Sequence, residues 1–488
     1  MQFLRHILCF ITSPFSISDT SAFKGYISKT FGQVHWIIHN HHAFLAPCLE
    51  QMKESTRDTL LANPLFRRHR YKKMGKWEIA HENKKEAYLI KIYNYPRLLQ
   101  KIKQLFKDSR GFHEFSTTYL TAMRGIPVEV PVAYGERKRM FTKESYLIIR
   151  EIKDSHSLRE YFRSDALLEE RRDILRKFGK LAKNVHESGI QQDAFSLDNF
   201  LVYRDEAGSI KIIVIDFEMV SIRTSGLKEK RCVWYLAKLN REKGNFTNTD
   251  RMRFILSYAG GNFVQCKRLA KRIEALTVWI QKKDAKKASR LCLHENRTFG
   301  IFKSDKFLGY YRKKYDLETL ETLLNTIGET DRDVFHINHF RIFRFMDHST
   351  TGLNYSAITQ SWIHANALLA LKINVPIPVG IFKRCFPNIQ REGFLVSEMP
   401  DNCIPLKQRP ELYADKNLLF ILLGLAEQVS PFGVFSKDLN PHDILVQTKE
   451  DRQFKCYLGN DTSFRLNRLP VHKNRQVNTH IIKQLLRT

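Results

Sequence analysis

Acidic residues are scarce in this chain: 51 Asp and Glu stand against 80 Lys and Arg, a net charge of +29 over 488 residues. Paired cysteines are missing too. The eight cysteines are scattered singly, with no C-x-x-C pair and no histidine cluster at ligand spacing. That excludes a disulfide framework or a structural zinc site and points to a reducing compartment. Long apolar runs are also absent: nothing approaches 18 residues, and Ile7 to Ile11 is too short for a signal core or a membrane span. A soluble, cytoplasmic protein is the expectation. No nucleic-acid motif accompanies the charge, so the basic field is open to any polyanion: nucleic acid, an anionic membrane face, nucleotide phosphates or a phosphorylated glycolipid. A plain solvated basic surface is the bland alternative. What is present is ordinary globular material, 43% apolar and 12% aromatic, in a chain longer than one hydrophobic core usually fills.

The most informative segment is Gly189-Ile-Gln-Gln-Asp193-Ala-Phe-Ser-Leu-Asp-Asn199, followed by Ile-Ile-Val-Ile-Asp216-Phe-Glu218. It sets an amide and a carboxylate 17 residues apart, the second delivered by a β-branched run. Phosphotransferases of the protein-kinase type hold Mg²⁺ in this way, with an Asn leaving the catalytic loop and an Asp after the next strand. The layout recurs without a gap 244 residues later: Gly433 for Gly189, Asp443 for Asn199, Asn460 for Asp216. The reading is a tandem pair of kinase-like units whose essential residues are unevenly kept.

Element signals agree with a two-lobed order. Lys76–Ala80 and Ala87–Tyr93 are strand candidates, Glu114–Met123 a helix, Ile126–Val132 extended, Tyr146–Ile149 a strand and Leu167–Glu187 a long helix. Ile373–Val379 and Phe394–Ser397 echo Ile126–Val132 and Tyr146–Ile149, and Leu425–Val429 echoes Leu181–Val185. The expected fold class is α+β: an N-terminal extension over 1–65 with a helix through Leu49–Leu61, a kinase-like domain over 66–285, a helical linker over 286–330, and a truncated, degenerate kinase-like domain over 331–488.

With Leu236–Arg241 and Asp250–Phe254…Tyr258 added, the chain resembles the lipopolysaccharide kinase family, the Kdo and heptose kinases of the Gram-negative inner core. The resemblance implies a kinase-like fold, ATP and Mg²⁺, and a sugar hydroxyl of lipopolysaccharide core as acceptor at the inner face of the inner membrane. Lys91, in an apolar strand, takes the place of the lysine that grips the α- and β-phosphates, and Glu114 that of its carboxylate partner. Taken alone, such a Lys is an edge residue with its ammonium in water and such a Glu is any helix acid. Asn199 and Asp216 are the metal-binding pair. The glycine-rich lid is thin, with only Gly75 in the expected turn.

The catalytic base is out of register. The family pattern sets an Asp five residues before the metal-binding Asn, but that position is Ala194, with Asp193 beside it and Gln191 and Gln192 where a His is usual. One residue along an extended loop moves a side chain about 3.3 Å and turns it over. Asp193 is the candidate base. The second copy has the opposite defect: Asp438 is in register, but Asn460 replaces the metal Asp, Arg344 stands for the lysine and Ser361 for Glu114. The expected function is therefore an ATP-dependent lipopolysaccharide-type kinase working in the first copy. Two alternatives stand beside it: a catalytically impaired pseudokinase that binds nucleotide or scaffolds envelope assembly, and a nucleic-acid binder, which explains the charge but none of the motifs.

Overall fold

The computed structural model describes residues 23–51, 72–81, 84–94, 108–139, 142–164, 168–241, 246–327, 333–347, 357–384 and 391–415, and short pieces between 417 and 466. The chain forms two compact units, Met1–Glu274 and Ala275–Thr488.

The first unit opens with strands β1 (Tyr26–Phe31) and β2 (Val34–His39) and a short helix α1 (Ala46–Glu50). Strands β3 (Lys72–His81) and β4 (Lys84–Tyr93), helix α2 (Arg110–Met123), and strands β5 (Pro131–Arg139) and β6 (Thr142–Arg150) follow. The six strands make one sheet in the order β1-β2-β5-β6-β4-β3, antiparallel throughout. Period-two alternation loads both faces. Trp36, Ile38, Tyr88, Ile90 and Ile148 pack under α1 on one face. Tyr93, Tyr134, Leu147 and Ile149 meet Phe112, Phe115 and Tyr119 of α2 on the other. Ser109 caps α2 by accepting from the Phe112 amide.

The helical part comprises β7 (His156–Ser157), α3 (Leu158–Tyr161), α4 (Leu168–Glu187), β8 (Ile190–Gln192), β9 (Phe200–Arg204), β10 (Ile210–Val214), β11 (Val220–Ile222), α5 (Glu229–Leu239), α6 (Asn248–Tyr258) and the start of α7 (Phe263–Leu291), whose residues from Ala275 on belong to the second unit. Helices α4 and α6 lie against each other through Phe178 and Phe254, ring centroids 4.9 Å apart. They are tied by Arg171 to Asp250 at 3.1 Å. Strands β8 and β11 pair, as do β9 and β10. These two small ladders present the loops that matter for function.

In the second unit, β12 (Phe299–Lys303), β13 (Phe307–Arg312), helix α8 (Leu317–Thr326), β14 (Val334–Ile337), β15 (Phe340–Asp347), helix α9 (Ala357–Ala370), β16 (Ile377–Arg384) and β17 (Arg391–Glu398) lead into β18 (Cys403–Pro405), β19 (Val434–Phe435), β20 (Ile444–Thr448), β21 (Phe454–Leu458) and β22 (Arg465–Leu466). The large sheet runs β12-β13-β16-β17-β15-β14, with small sheets β18-β20-β21 and β19-β22.

Several expectations change. Residues 26–39, read as part of an extension, are two strands that complete the first sheet by pairing β2 with β5. The stretch read as a helical linker holds β12 and β13, which complete the second sheet through β16. Gly75 is not in a turn: it lies buried within β3, opposite Ile90. Most of the helix expected over Leu49–Leu61 falls outside the described residues, as do Asp438, Asp443 and Asn460.

Candidate functional site

The site is assembled from β4, α2, the β8–β9 loop and the end of β10. Lys91 projects from β4 on the face that α2 covers, because Leu89, Lys91 and Tyr93 share that side. Its Nζ lies 2.6 Å from Glu114 Oε1, and both side chains are buried. The Tyr93 hydroxyl donates to the other Glu114 oxygen. Burial alone would pull the Lys91 ammonium down, but the Glu114 charge and hydrogen bond outweigh it and hold it above the usual lysine value. Burial would likewise push Glu114 up, and Lys91 with Lys72 holds it below the carboxylate range instead. Each charge keeps the other ionised. A buried pair of this kind contributes little net stability, and breaking it costs about 3–5 kcal/mol.

Asn199 is also buried. Its Nδ2 donates to the Ala194 carbonyl at 2.7 Å, which leaves Oδ1 as the oxygen available to a cation. The Ile215 amide donates to the Asn199 carbonyl at 3.0 Å, so the backbone sets Asn199 beside the residue before Asp216. Asp216 has φ 61, a left-handed conformation that is uncommon for a non-glycine residue and concentrates at functional sites. Gln192, where a His is usual, is buried and donates to the carbonyls of Ile215 (3.2 Å) and Asp216 (3.5 Å). It fixes the turn that presents Asp216.

Helix α2 is fastened to the segment after Asp216. His113 Nε2 donates to the Val220 carbonyl at 2.9 Å, and Thr117 Oγ1 reaches the Phe217 carbonyl at 3.4 Å. Glu114 lies between these two anchors, so the partner of Lys91 and the Asp216 segment belong to one packed assembly.

Four charged residues to which the sequence reading gave no role join this group. Lys72 Nζ lies 3.5 Å from Asp216 Oδ1 and 3.4 Å from Glu218 Oε2. Arg110 Nη1 is 3.0 Å from Glu218 Oε1. Glu129, half-buried between β10 and Lys91, is pushed up to about 7 by burial; the Lys91 charge opposes the shift and Glu114 adds to it. One signal for Glu218 was its position two residues after Asp216. Lys72, Arg110 and Glu129 were lost among the charges of a chain that is 27% Asp, Glu, Lys and Arg.

Asp193 stands apart. Its carboxylate accepts from the Tyr235 hydroxyl at 3.2 Å and from Arg231 Nη2 at 3.4 Å, both on α5. Lys238 donates to its carbonyl at 2.9 Å. Ala194, next to Asp193, turns its carbonyl to the Asn199 amide. Among the described residues no group of three or more His, Cys, Asp or Glu side chains is arranged to hold a metal ion. Two protein oxygens are nevertheless a normal protein share for Mg²⁺, which completes its octahedron with phosphate and water. The donor set therefore fits Mg²⁺ carried by a nucleotide.

In the second unit, strand register corrects the residue matched to Lys91. Lys91 lies opposite Leu147. In the second sheet Leu395, the counterpart of Leu147 in the echoed segment, lies opposite Phe343. Arg344 is one residue further on and so on the other face, paired with Glu392. Phe343 packs with Ile358 and Trp362 of α9, and Ser361 is buried on the same helix.

Comparison with the curated proteins gives no match. Among solved structures the chain is similar to WaaP in complex with acyl carrier protein, at 16% identity over 49% of this chain and 95% of that one, with a TM-score of 0.37. It is also similar to the Rio2 kinase-ADP/Mg²⁺-phosphoaspartate complex from Chaetomium thermophilum, at 13% identity over 55% and 84%, with a TM-score of 0.29. Residues 73–258, a stretch that runs from β3 through α6 and contains Lys91, Glu114, Asp193, Asn199 and Asp216, match the model of the lipopolysaccharide kinase (Kdo/WaaP) family.

Proposed function

We propose that the protein is an ATP-dependent phosphotransferase of the lipopolysaccharide kinase type, which phosphorylates a sugar hydroxyl of the inner core with chemistry confined to the first unit. The observation that carries this reading is the buried Lys91–Glu114 pair on a helix tied to the Asp216 segment. Nothing in a surface ion pair requires such burial, whereas a lysine that must meet phosphates at a fixed place does. In this reading Lys91 binds the α- and β-phosphates and Glu114 orients it. Asn199 Oδ1 and Asp216 hold Mg²⁺, which supplies charge neutralisation at the phosphates. Lys72 balances Asp216 and Glu218 in the cleft. The two units are a tandem duplication of a kinase-like, bilobal fold, a reading supported by the matching strand order of their large sheets. The second is a degenerate copy, with Phe343 and Ser361 where the first has Lys91 and Glu114. The acceptor is an anionic glycolipid, and the protein works in the cytoplasm, peripheral to the inner face of the inner membrane.

The pseudokinase alternative is favoured by one specific observation: Ala194 stands in the base position and Asp193 is engaged by Arg231 and Tyr235. Phosphoryl transfer through a loose transition state rests mainly on charge and positioning, so the missing base lowers turnover more than it prevents it. A thermal-shift measurement should show stabilisation by ATP with Mg²⁺ that Asp216→Ala abolishes. ATP turnover with and without extracted core glycolipid then separates the readings. Stabilisation without glycolipid-dependent turnover selects the pseudokinase, and no stabilisation removes both.

A further inference from the structure

Helix α7 turns an unusual face to solvent along its second half. Ile280, Gln281 and Ala285 are buried, and Gln281 donates to the Leu371 carbonyl at 3.5 Å. The opposite side carries Trp279, Lys282, Lys283, Lys286, Lys287 and Arg290, all exposed and at helical spacing in one stripe. Among the described residues no carboxylate lies within ion-pair distance of Lys282, Lys286, Lys287 or Arg290. Trp279 is 45% exposed, with Lys283 Nζ 3.9 Å from its ring centroid. Five cations on one exposed stripe beside an indole, with no acid at the stripe positions, are more than solubility requires.

We propose that this face of α7 docks onto a bilayer containing anionic phospholipid. Charge complementarity commits it to a negative surface: basic side chains on one helical stripe lie parallel to a plane of phosphates, while the indole on the same stripe enters the interfacial layer. A nucleic acid answers the charge too, but no nucleic-acid motif accompanies it in the sequence. The inference rests on the helix alone and stands independently of the phosphotransferase reading.

The test is co-sedimentation of the full chain, without nucleotide, with vesicles of phosphatidylcholine alone or mixed with phosphatidylglycerol. Binding should require phosphatidylglycerol and weaken with salt. Replacing Lys282, Lys283, Lys286 and Lys287 by Gln, which is as good a helix former as Lys, should weaken it on the order of 100-fold. A control with Lys29, Lys153, Lys180 and Lys230, all exposed elsewhere, changed to Gln removes the same charge and should retain most of the binding. Trp279→Ala, which removes no charge, should weaken it severalfold and guards against misfolding of the fourfold variant. Equal loss in the control, or full retention in the α7 variant, overturns the proposal. So does an α7 variant that loses duplex DNA binding while its vesicle binding is unchanged. Asp216→Ala should bind vesicles as the unaltered chain does, so failure of either reading leaves the other intact.

Discussion

At Ala194 a methyl group stands where proton acceptance is expected, and its neighbour Asp193 is held by α5. The backbone around it is intact: the Asn199 amide still clasps the Ala194 carbonyl. A carboxylate introduced there would be delivered by an unaltered loop. Ala194→Asp is therefore expected to raise glycolipid-dependent turnover by about 10²-fold, while Asp193→Ala leaves it within a few-fold of the parent. A loss in the second variant equal to that of Asp216→Ala would restore Asp193 as the base. Glu129 yields a pH prediction. Its carboxyl is raised from 4.5 to about 7 in the folded protein, so the folded state holds a proton that the unfolded state has released. Its contribution to stability is complete below pH 4.5 and is lost as pH rises through 7. Glu129→Gln should flatten that part of the stability–pH curve, read by urea midpoints at several pH values. An unchanged slope would mean that Glu129 is solvated.

Among the elements, the strands and helices around the site were legible and their edges were not. Alternation in Ala87–Tyr93 puts Lys91 on a definite face, and Glu114 sits on a helix further along the chain, so the pair could be anticipated from period and order. Strand register could not. Arg344 was matched to Lys91 by residue type, as a basic residue in the aromatic strand segment Phe340–Phe345. Strand pairing sets Phe343, not Arg344, opposite Leu395, and one residue reverses the face. Strands β1 and β2 escaped because their value lies in pairing with β5, a contact about 100 residues distant. At the α4–α6 crossing a single glycine sets the approach: a Cβ at Gly179 would lie 2.5 Å from the Phe254 carbonyl and 2.8 Å from Ser257 Cβ. Gly179→Ala would gain about 1 kcal/mol of helix propensity and lose about 1–3 kcal/mol to overpacking. Because one contact is backbone, the loss should win, with a net destabilisation on the order of 1–2 kcal/mol in urea unfolding. A stabilised variant would show that the helices can part at little cost.

For the whole molecule, the question is how many nucleotides one chain binds. Both large sheets have the same strand order and a helix packed on the corresponding face, so the backbone alone would allow two sites. Chemistry discriminates between them. In the first unit a buried ammonium is kept charged by a buried carboxylate. In the second, Phe343 fills the corresponding register position against Trp362 and Ile358, and the matching helix residue is Ser361. Apolar packing there avoids the desolvation cost of an ion pair and removes the cation that phosphates require. The guanidinium of Arg344 does not replace it, since it lies on the reverse face with Glu392. Isothermal titration with Mg²⁺ and a non-hydrolysable ATP analogue should give one site per chain. Asp216→Ala should reduce that to none, and Arg344→Ala should leave both stoichiometry and affinity unchanged. Two sites, or one that survives Asp216→Ala, would transfer nucleotide binding to the second unit.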